Sequence, residues 1–138
     1  MHELRLYAHR GANRLYPENT IEAFRQALAD GATCLELDVH RTADGHIVVH
    51  HAATGERMSG EAVRVRDVTL AEIQRWNAGR NFSGQNDAAG AFRVPTFAEV
   101  LETFPDVLLN VDIKQHEPEP AEAVLRLVRR AGAEERVV

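Results

Sequence analysis

The sequence has little of what usually assigns a chain at once. Its 138 residues include one cysteine, Cys34, which excludes an internal disulfide and fits a reducing compartment. No apolar run approaches the length that crosses a bilayer. The N-terminus enters an apolar strand within a few residues, with no signal-peptide core ahead of it. A cytoplasmic location is expected. Positive charge is also scarce: 16 Lys and Arg stand against 21 Asp and Glu, for a formal net charge of −5. The basic residues form no stripe, so nucleic acid is not an expected partner. Internal repeats and low-complexity tracts are missing, and nothing indicates an oligomeric state. What is left is an ordinary globular composition and the length of about one small domain.

The informative stretch is Cys34–His51, CLELDVHRTADGHIVVHH. Glu36 and Asp38 are one strand-step apart, so in an extended strand they share a face roughly 6.6 Å apart along the backbone. Leu35, Leu37 and Val39 take the other face. Two ionised neighbours repel, and burial penalises both, unless a cation lies between them. A solvated, half-exposed strand would show the same alternation. Cys34 falls in this strand and is expected to be a small core residue.

Around that stretch the chain alternates strands and capped helices. Leu4–His9 reads as a short buried strand, and Gly11 as a tight turn or close backbone approach. Asn19, with Glu22 three residues on, predicts a capping box opening a helix. Ile21, Phe24, Ala27 and Leu28 form its apolar stripe, and Gly31 ends it. The strand Cys34–His40 follows. Thr42 to Gly45 supply turn chemistry, Asp44 included, and Ile47–His51 reads as the return strand.

From about residue 52 to 95 the rhythm breaks, as in an insertion. Thr69 caps an expected helix Leu70–Asn77 with Leu70, Ile73 and Trp76 inward, Trp76 being core of the insertion. Gly79–Ala91 has the composition of a loop. Thr96 caps a helix Phe97–Phe104, with Glu99 at its N3 position and Val100, Leu101 and Phe104 as its apolar face. Val107–Lys114 is a strand carrying Asn110, Asp112 and Lys114 on one face. Ala121–Ala131 is an amphipathic helix with Val124, Leu125 and Val128, closed by Gly132. Arg136 to Val138 look like the start of another strand.

This order implies an α/β fold with a parallel sheet. Polar residues gather at the strand ends, where a (β/α)₈ TIM-type barrel places its active site. Such a barrel needs about 200–250 residues, so the chain is expected to hold roughly the first half. The strand ends offer carboxylates Glu36, Asp38 and Asp112, imidazoles His9 and His51, and cations Arg10 and Lys114. Three acids suit an oxygen-ligated Mg²⁺ or Ca²⁺. Two imidazoles suit general acid–base catalysis, and Arg10 and Lys114 suit a phosphate. Together they point to phosphodiester cleavage. Of the adjacent histidines, alternation lets one face the site; His40, His46 and His116 read as surface residues. Glu18 is expected to line the site through the first loop, whereas capping accounts for Asn19.

The segments AHRGANRLYPENTIEAF, ELDVHRTADGHIVVHH, VPTFAEVL and LLNVDIK resemble, in order, the glycerophosphodiester phosphodiesterase family, a TIM-barrel group of phospholipase-C-like enzymes. The resemblance covers essentially the whole chain. It implies a partial phosphodiesterase domain over residues 1–138, with an insertion after the second strand. It also implies a hydrolase of lipid and glycerol metabolism that splits small glycerophosphodiesters into glycerol 3-phosphate and an alcohol. His9 and His51 match the family's catalytic pair, Arg10 its phosphate-binding arginine, and Lys114 its lysine. Glu36, Asp38 and Asp112 match its ligands for a divalent cation. Ala52 departs from the family's usual Asp after the second histidine, and Asp112 from the commoner Glu. A related lipid-directed phosphodiesterase or phospholipase-D-like lyase would share these residues. A non-catalytic fragment or degenerate paralogue is the alternative of another class.

Overall fold

The computed structural model describes residues 4–84 and 91–138. The expected loop Gly79–Ala91 therefore falls partly outside the described residues. Strand β1 (Tyr7–His9) leads to helix α1 (Ile21–Ala29), and then to the long strand β2 (Cys34–Arg41) and its hairpin partner β3 (Ile47–Val49). A small excursion follows: β4 (Thr54–Gly55), α2 (Glu56–Ser59), β5 (Glu61–Arg64), a 3₁₀ turn at Val65–Asp67, and α3 (Leu70–Ile73). The chain returns through α4 (Phe97–Thr103), β6 (Leu108–Ile113) and α5 (Ala121–Arg130).

β2 is the centre of the sheet. It pairs in parallel with β1 through Tyr7 to His9, in parallel with β6 from Cys34 to Val39, and antiparallel with β3 from Val39 to Arg41. After α5 the chain begins to pair with β6, as its last residues were expected to: Val137 lies opposite Leu109, and Val111 N–H donates to the Val138 carbonyl at 2.8 Å. Leu35, Leu37 and Val39 are fully buried on one face of β2. They meet Phe24 and Ala27 of α1, Phe97, Val100 and Leu101 of α4, and Val124 and Val128 of α5. The helices thus cover one face of the sheet, and the alternate residues of β2 and β6 are left to the other. Cys34 is buried, as expected.

Several expectations change. β1 starts at Tyr7 rather than Leu4 and is not buried: Leu4, Leu6 and Tyr7 are exposed, since among the described residues β1 has one strand neighbour, β2. The cap of α1 is Thr20, whose Oγ1 accepts from Ala23 N–H at 3.2 Å, while Asn19 sits at φ 59° with its side chain elsewhere. α3 is one turn shorter than its apolar spacing suggested, although Trp76 N–H still bonds the Ile73 carbonyl and the indole stays buried. Leu125 is half exposed, because Val124 and Val128 take the inward face of α5 and the next residue turns out. Thr69 and Thr96 cap their helices as the sequence indicates; both form capping boxes, with Glu72 and Glu99, of which only the second was expected.

The excursion has its own core of Val48, Val65, Ile73, Trp76, Ala78, Phe92 and Val94. Gly55 permits it: a Cβ there would lie 2.6 Å from the Trp76 ring. Gly11 has the same role in the first loop, where φ is 81° and a Cβ would meet the Ala23 backbone at 2.7 Å. Among the described residues no helix is long and apolar enough to cross a membrane.

Candidate active site

Strand register assembles the site. Parallel pairing sets Asp38 opposite Asp112, and Glu36 opposite His9 on the other side. One carboxylate oxygen from each of Glu36, Asp38 and Asp112 lies within 4.8 Å of the others. His9, largely exposed, brings Nε2 to 3.9 Å from Glu36 Oε2.

Asp38 is the buried centre of this group, with no exposed surface. Its Oδ2 accepts from Asn19 Nδ2 at 3.0 Å and lies 3.1 Å from Arg10 Nε, a charge contact without hydrogen-bond alignment. Its Oδ1 is buried and accepts no hydrogen bond, with Lys114 Nζ at 3.5 Å. Lys114 Nζ in turn lies 2.6 Å from Asp112 Oδ2. Asp112 and Asp38 together hold the ammonium pKa above its ordinary value, against a smaller opposing effect of desolvation.

The two left-handed residues of the first loop both serve Asp38. Arg10 and Asn19 each have φ 59°, a region that side chains other than glycine enter at a cost of order 1 kcal/mol. Arg10 is held there because its N–H donates to the Glu36 carbonyl at 3.0 Å and to Glu36 Oε2 at 3.1 Å. Asn19 N–H donates to the Arg10 carbonyl at 3.0 Å. The guanidinium of Arg10 also reaches Glu18 at 3.4 Å, and Glu18 pairs with Arg57 from α2. Burial alone would raise the Glu18 pKa, but Arg57 and Arg10 outweigh it and leave the carboxyl below its usual range. The excursion is tied to the first loop through this carboxylate.

The adjacent histidines divide. His50 is buried, edge-on to Trp76 and His40, and its Nδ1–H donates to the Ala52 carbonyl at 2.8 Å. Burial lowers its pKa to about 4. His51 is partly exposed, and its pKa is lowered by burial and then by Arg10, with Asp38 opposing. His40 is not a surface residue: it is buried, and its Nε2–H donates to the His51 carbonyl at 3.0 Å. Two buried imidazoles thus hold the main chain on either side of position 52, where no acid is available. His46 and His116 are exposed, as expected. Asp44 is turn chemistry, accepting from Thr42 Oγ1 at 2.6 Å and also from Leu70 N–H at 3.0 Å. Asn110 is exposed on the face of Asp112.

Sequence reasoning had not singled out Arg57, or the clamping role of His40 and His50. For Asn19 a signal existed: Asn19 and Thr20 are neighbours, both good caps, and a helix takes one.

The donor set fits a hard divalent cation. All three groups are carboxylates, the ligands a hard ion prefers, and one buried Asp38 oxygen accepts no hydrogen bond. Burial and the Asp38 charge raise the Glu36 pKa, with His9 and Arg10 opposing; a bound cation would favour the ionised form instead.

Comparison with known proteins follows the same direction. Residues 9–137 match the model of the glycerophosphoryl diester phosphodiesterase family. A glycerophosphodiester phosphodiesterase of Caldanaerobacter subterraneus subsp. tengcongensis is 40% identical over 136 residues, which is 95% of this chain and 55% of that protein. The crystal structure of a glycerophosphodiester phosphodiesterase from Agrobacterium tumefaciens superposes with a TM-score of 0.88 at 31% identity, covering 98% of this chain and 56% of that one. A phosphodiesterase of Oleispira antarctica, solved with the product sn-glycerol-3-phosphate, superposes with a TM-score of 0.82 at 26% identity, covering 93% and 53%. The chain therefore spans about half the length of these relatives, and its architecture is that of roughly the first half of a (β/α)₈ barrel.

Proposed function

This chain belongs to the glycerophosphoryl diester phosphodiesterase family, and on that premise we propose that it supplies the cation-binding and acid–base half of a glycerophosphodiesterase. Residues 1–138 are then part of one catalytic domain, and about 52–95 an insertion within it. The reaction is hydrolysis of a glycerophosphodiester to glycerol 3-phosphate and an alcohol, in the cytoplasm. The observation that carries this reading is the convergence of Glu36, Asp38 and Asp112 within 4.8 Å, beside His9 and Lys114.

Glu36, Asp38 and Asp112 would hold the ion, Mg²⁺ or Ca²⁺, and Asn19 orients the Asp38 carboxylate through its Oδ2. Once bound, such a cation polarises a phosphoryl oxygen and lowers the pKa of an attacking hydroxyl. Arg10 and Lys114 bind the phosphate and offset the charge that develops on its oxygens. His9 and His51 move the protons: one imidazole takes the proton of the attacking substrate hydroxyl, and the other gives one to the departing alkoxide. Water then opens the resulting cyclic phosphate to glycerol 3-phosphate with the two roles reversed. Burial and then the Arg10 charge shift the His51 pKa downward, which favours the neutral, proton-accepting form of the ring.

The test is release of glycerol 3-phosphate from glycerophosphocholine by the full-length protein, set against choline release from sphingomyelin or lysophosphatidylcholine. Turnover of the first substrate, abolished by EDTA and restored by Mg²⁺ or Ca²⁺, is the expected result. Preference for the lipids would move the assignment to a lipid-directed enzyme. No turnover of either would contradict the catalytic reading.

A further inference from the structure

A second feature adjoins this site. A cavity of about 280 Å³ lies between the excursion and the loop after β6, lined by His40, Ala53, Arg64, Arg66, Lys114, Gln115, His116 and Glu117. Among its lining cations Lys114 is paired with Asp38 and Asp112, and Arg66 lies 3.9 Å from Asp67. This leaves Arg64 as the cation without an acid partner among the described residues. The Arg64 guanidinium is exposed and has no ion-pair or hydrogen-bond partner among the described residues. The walls are held in place without a ligand. Gln115, buried, accepts from Arg41 N–H at 3.1 Å and donates to the Pro118 carbonyl at 2.9 Å. Arg66 Nη1 donates to the Glu117 carbonyl at 3.0 Å, joining the excursion to the strand-end loop.

The cavity touches the active centre at two points. Lys114 lines it while also contacting Asp38 and Asp112. His40 lines it while holding the His51 carbonyl. In an in-line displacement the departing oxygen leaves on the side of phosphorus opposite the attacking one. With the attacking hydroxyl at the acid cluster, the departing alcohol points away from those carboxylates, and a cationic cavity lies beside the residues flanking it.

We propose that this cavity is the subsite for the departing alcohol, and that it selects glycerophosphodiesters whose alcohol carries a further anionic group, a carboxylate or a phosphate, over those with a quaternary ammonium. This rests on the phosphodiesterase reading and adds the substrate class to it. Arg64 and Arg66 from the insertion then set specificity, and Lys114 is shared by the two phosphorus-side and alcohol-side groups.

The experiment measures kcat/KM of the full-length protein, with its cation, for glycerophosphocholine, glycerophosphoserine and glycerophosphoinositol phosphate. The expected result is a preference for the anionic alcohols that Arg64→Glu reduces by about tenfold or more, the size of one lost charged contact. A carboxylate or a phosphate source is told apart by which of the two anionic substrates loses more. An anionic-to-choline ratio unchanged by Arg64→Glu overturns the proposal while leaving hydrolysis itself intact. Failure of all three substrates in the wild-type protein would instead overturn the glycerophosphodiesterase reading on which the proposal rests. If the charge reversal does not fold, the wild-type ratio is measured between about 0.05 and 0.5 M salt, where screening should erode it; a ratio indifferent to salt overturns the proposal equally.

Discussion

Asp38 concentrates the physical cost of this site in one side chain. A carboxylate with no exposed surface is tolerated because Arg10, Asn19 and Lys114 surround it. Asn19 separates a structural from a positioning role. If it were a helix cap, Asn19→Ala would cost about 1 kcal/mol of stability and leave the site alone. Because its amide bonds Asp38, the substitution is expected to lower cation affinity and turnover together by about 10–100-fold, as loss of a ligand's hydrogen-bond partner does. Calorimetric cation titration beside thermal unfolding separates the two. His9 is expected to behave oppositely. It lies 3.9 Å from Glu36 but is largely exposed, so His9→Ala should abolish turnover while cation affinity stays within about twofold. Equal loss of affinity in His9→Ala and Glu36→Ala would show the roles to be misassigned.

At the scale of elements, the hairpin β2–β3 and the excursion share a buried histidine pair. His50 has a folded pKa of about 4, against 6.5 for the free side chain. The unfolded chain therefore binds a proton that the folded one refuses. The stability from keeping His50 neutral is complete above pH 6.5 and is lost as pH falls toward 4, a contribution of about 3 kcal/mol. Denaturant unfolding across that window should show a shallower pH dependence in His50→Gln than in the wild type. Parallel curves would contradict the buried, neutral assignment. His40 and His50 also show what the sequence conceals. Alternation along β2 and β3 marks which residues share a face, and Glu36 and Asp38 are legible for that reason. Whether a polar face meets water or another element depends on packing: His40 looked exposed until the excursion covered it. The opposite holds for β1, whose apolar letters suggested burial although Leu4 and Leu6 meet no strand on their outer side among the described residues. The caps at Thr69 and Thr96 were legible because both partners lie within four residues. The Glu18–Arg57 pair spans 39 residues and left no local trace.

For the whole molecule, the one-sided arrangement of helices explains why chemistry gathers where it does. The apolar residues of β2 and β6 are used up against α1, α4 and α5, and the alternate residues are free to carry charge. Parallel pairing then brings Asp38 and Asp112, 74 residues apart in the chain, into one cluster, which sequence spacing alone does not reveal. The relatives are about twice as long, and Leu6 and Val138, beside the outer strands of the sheet, leave apolar surface exposed. The central claim, that three carboxylates share one divalent cation, is tested most directly by Mn²⁺ titration of the full-length protein, read by electron paramagnetic resonance. One tightly bound ion per chain, lost separately in Glu36→Gln, Asp38→Asn and Asp112→Asn, is the predicted result. An ion that binds with unchanged affinity in all three variants would contradict it.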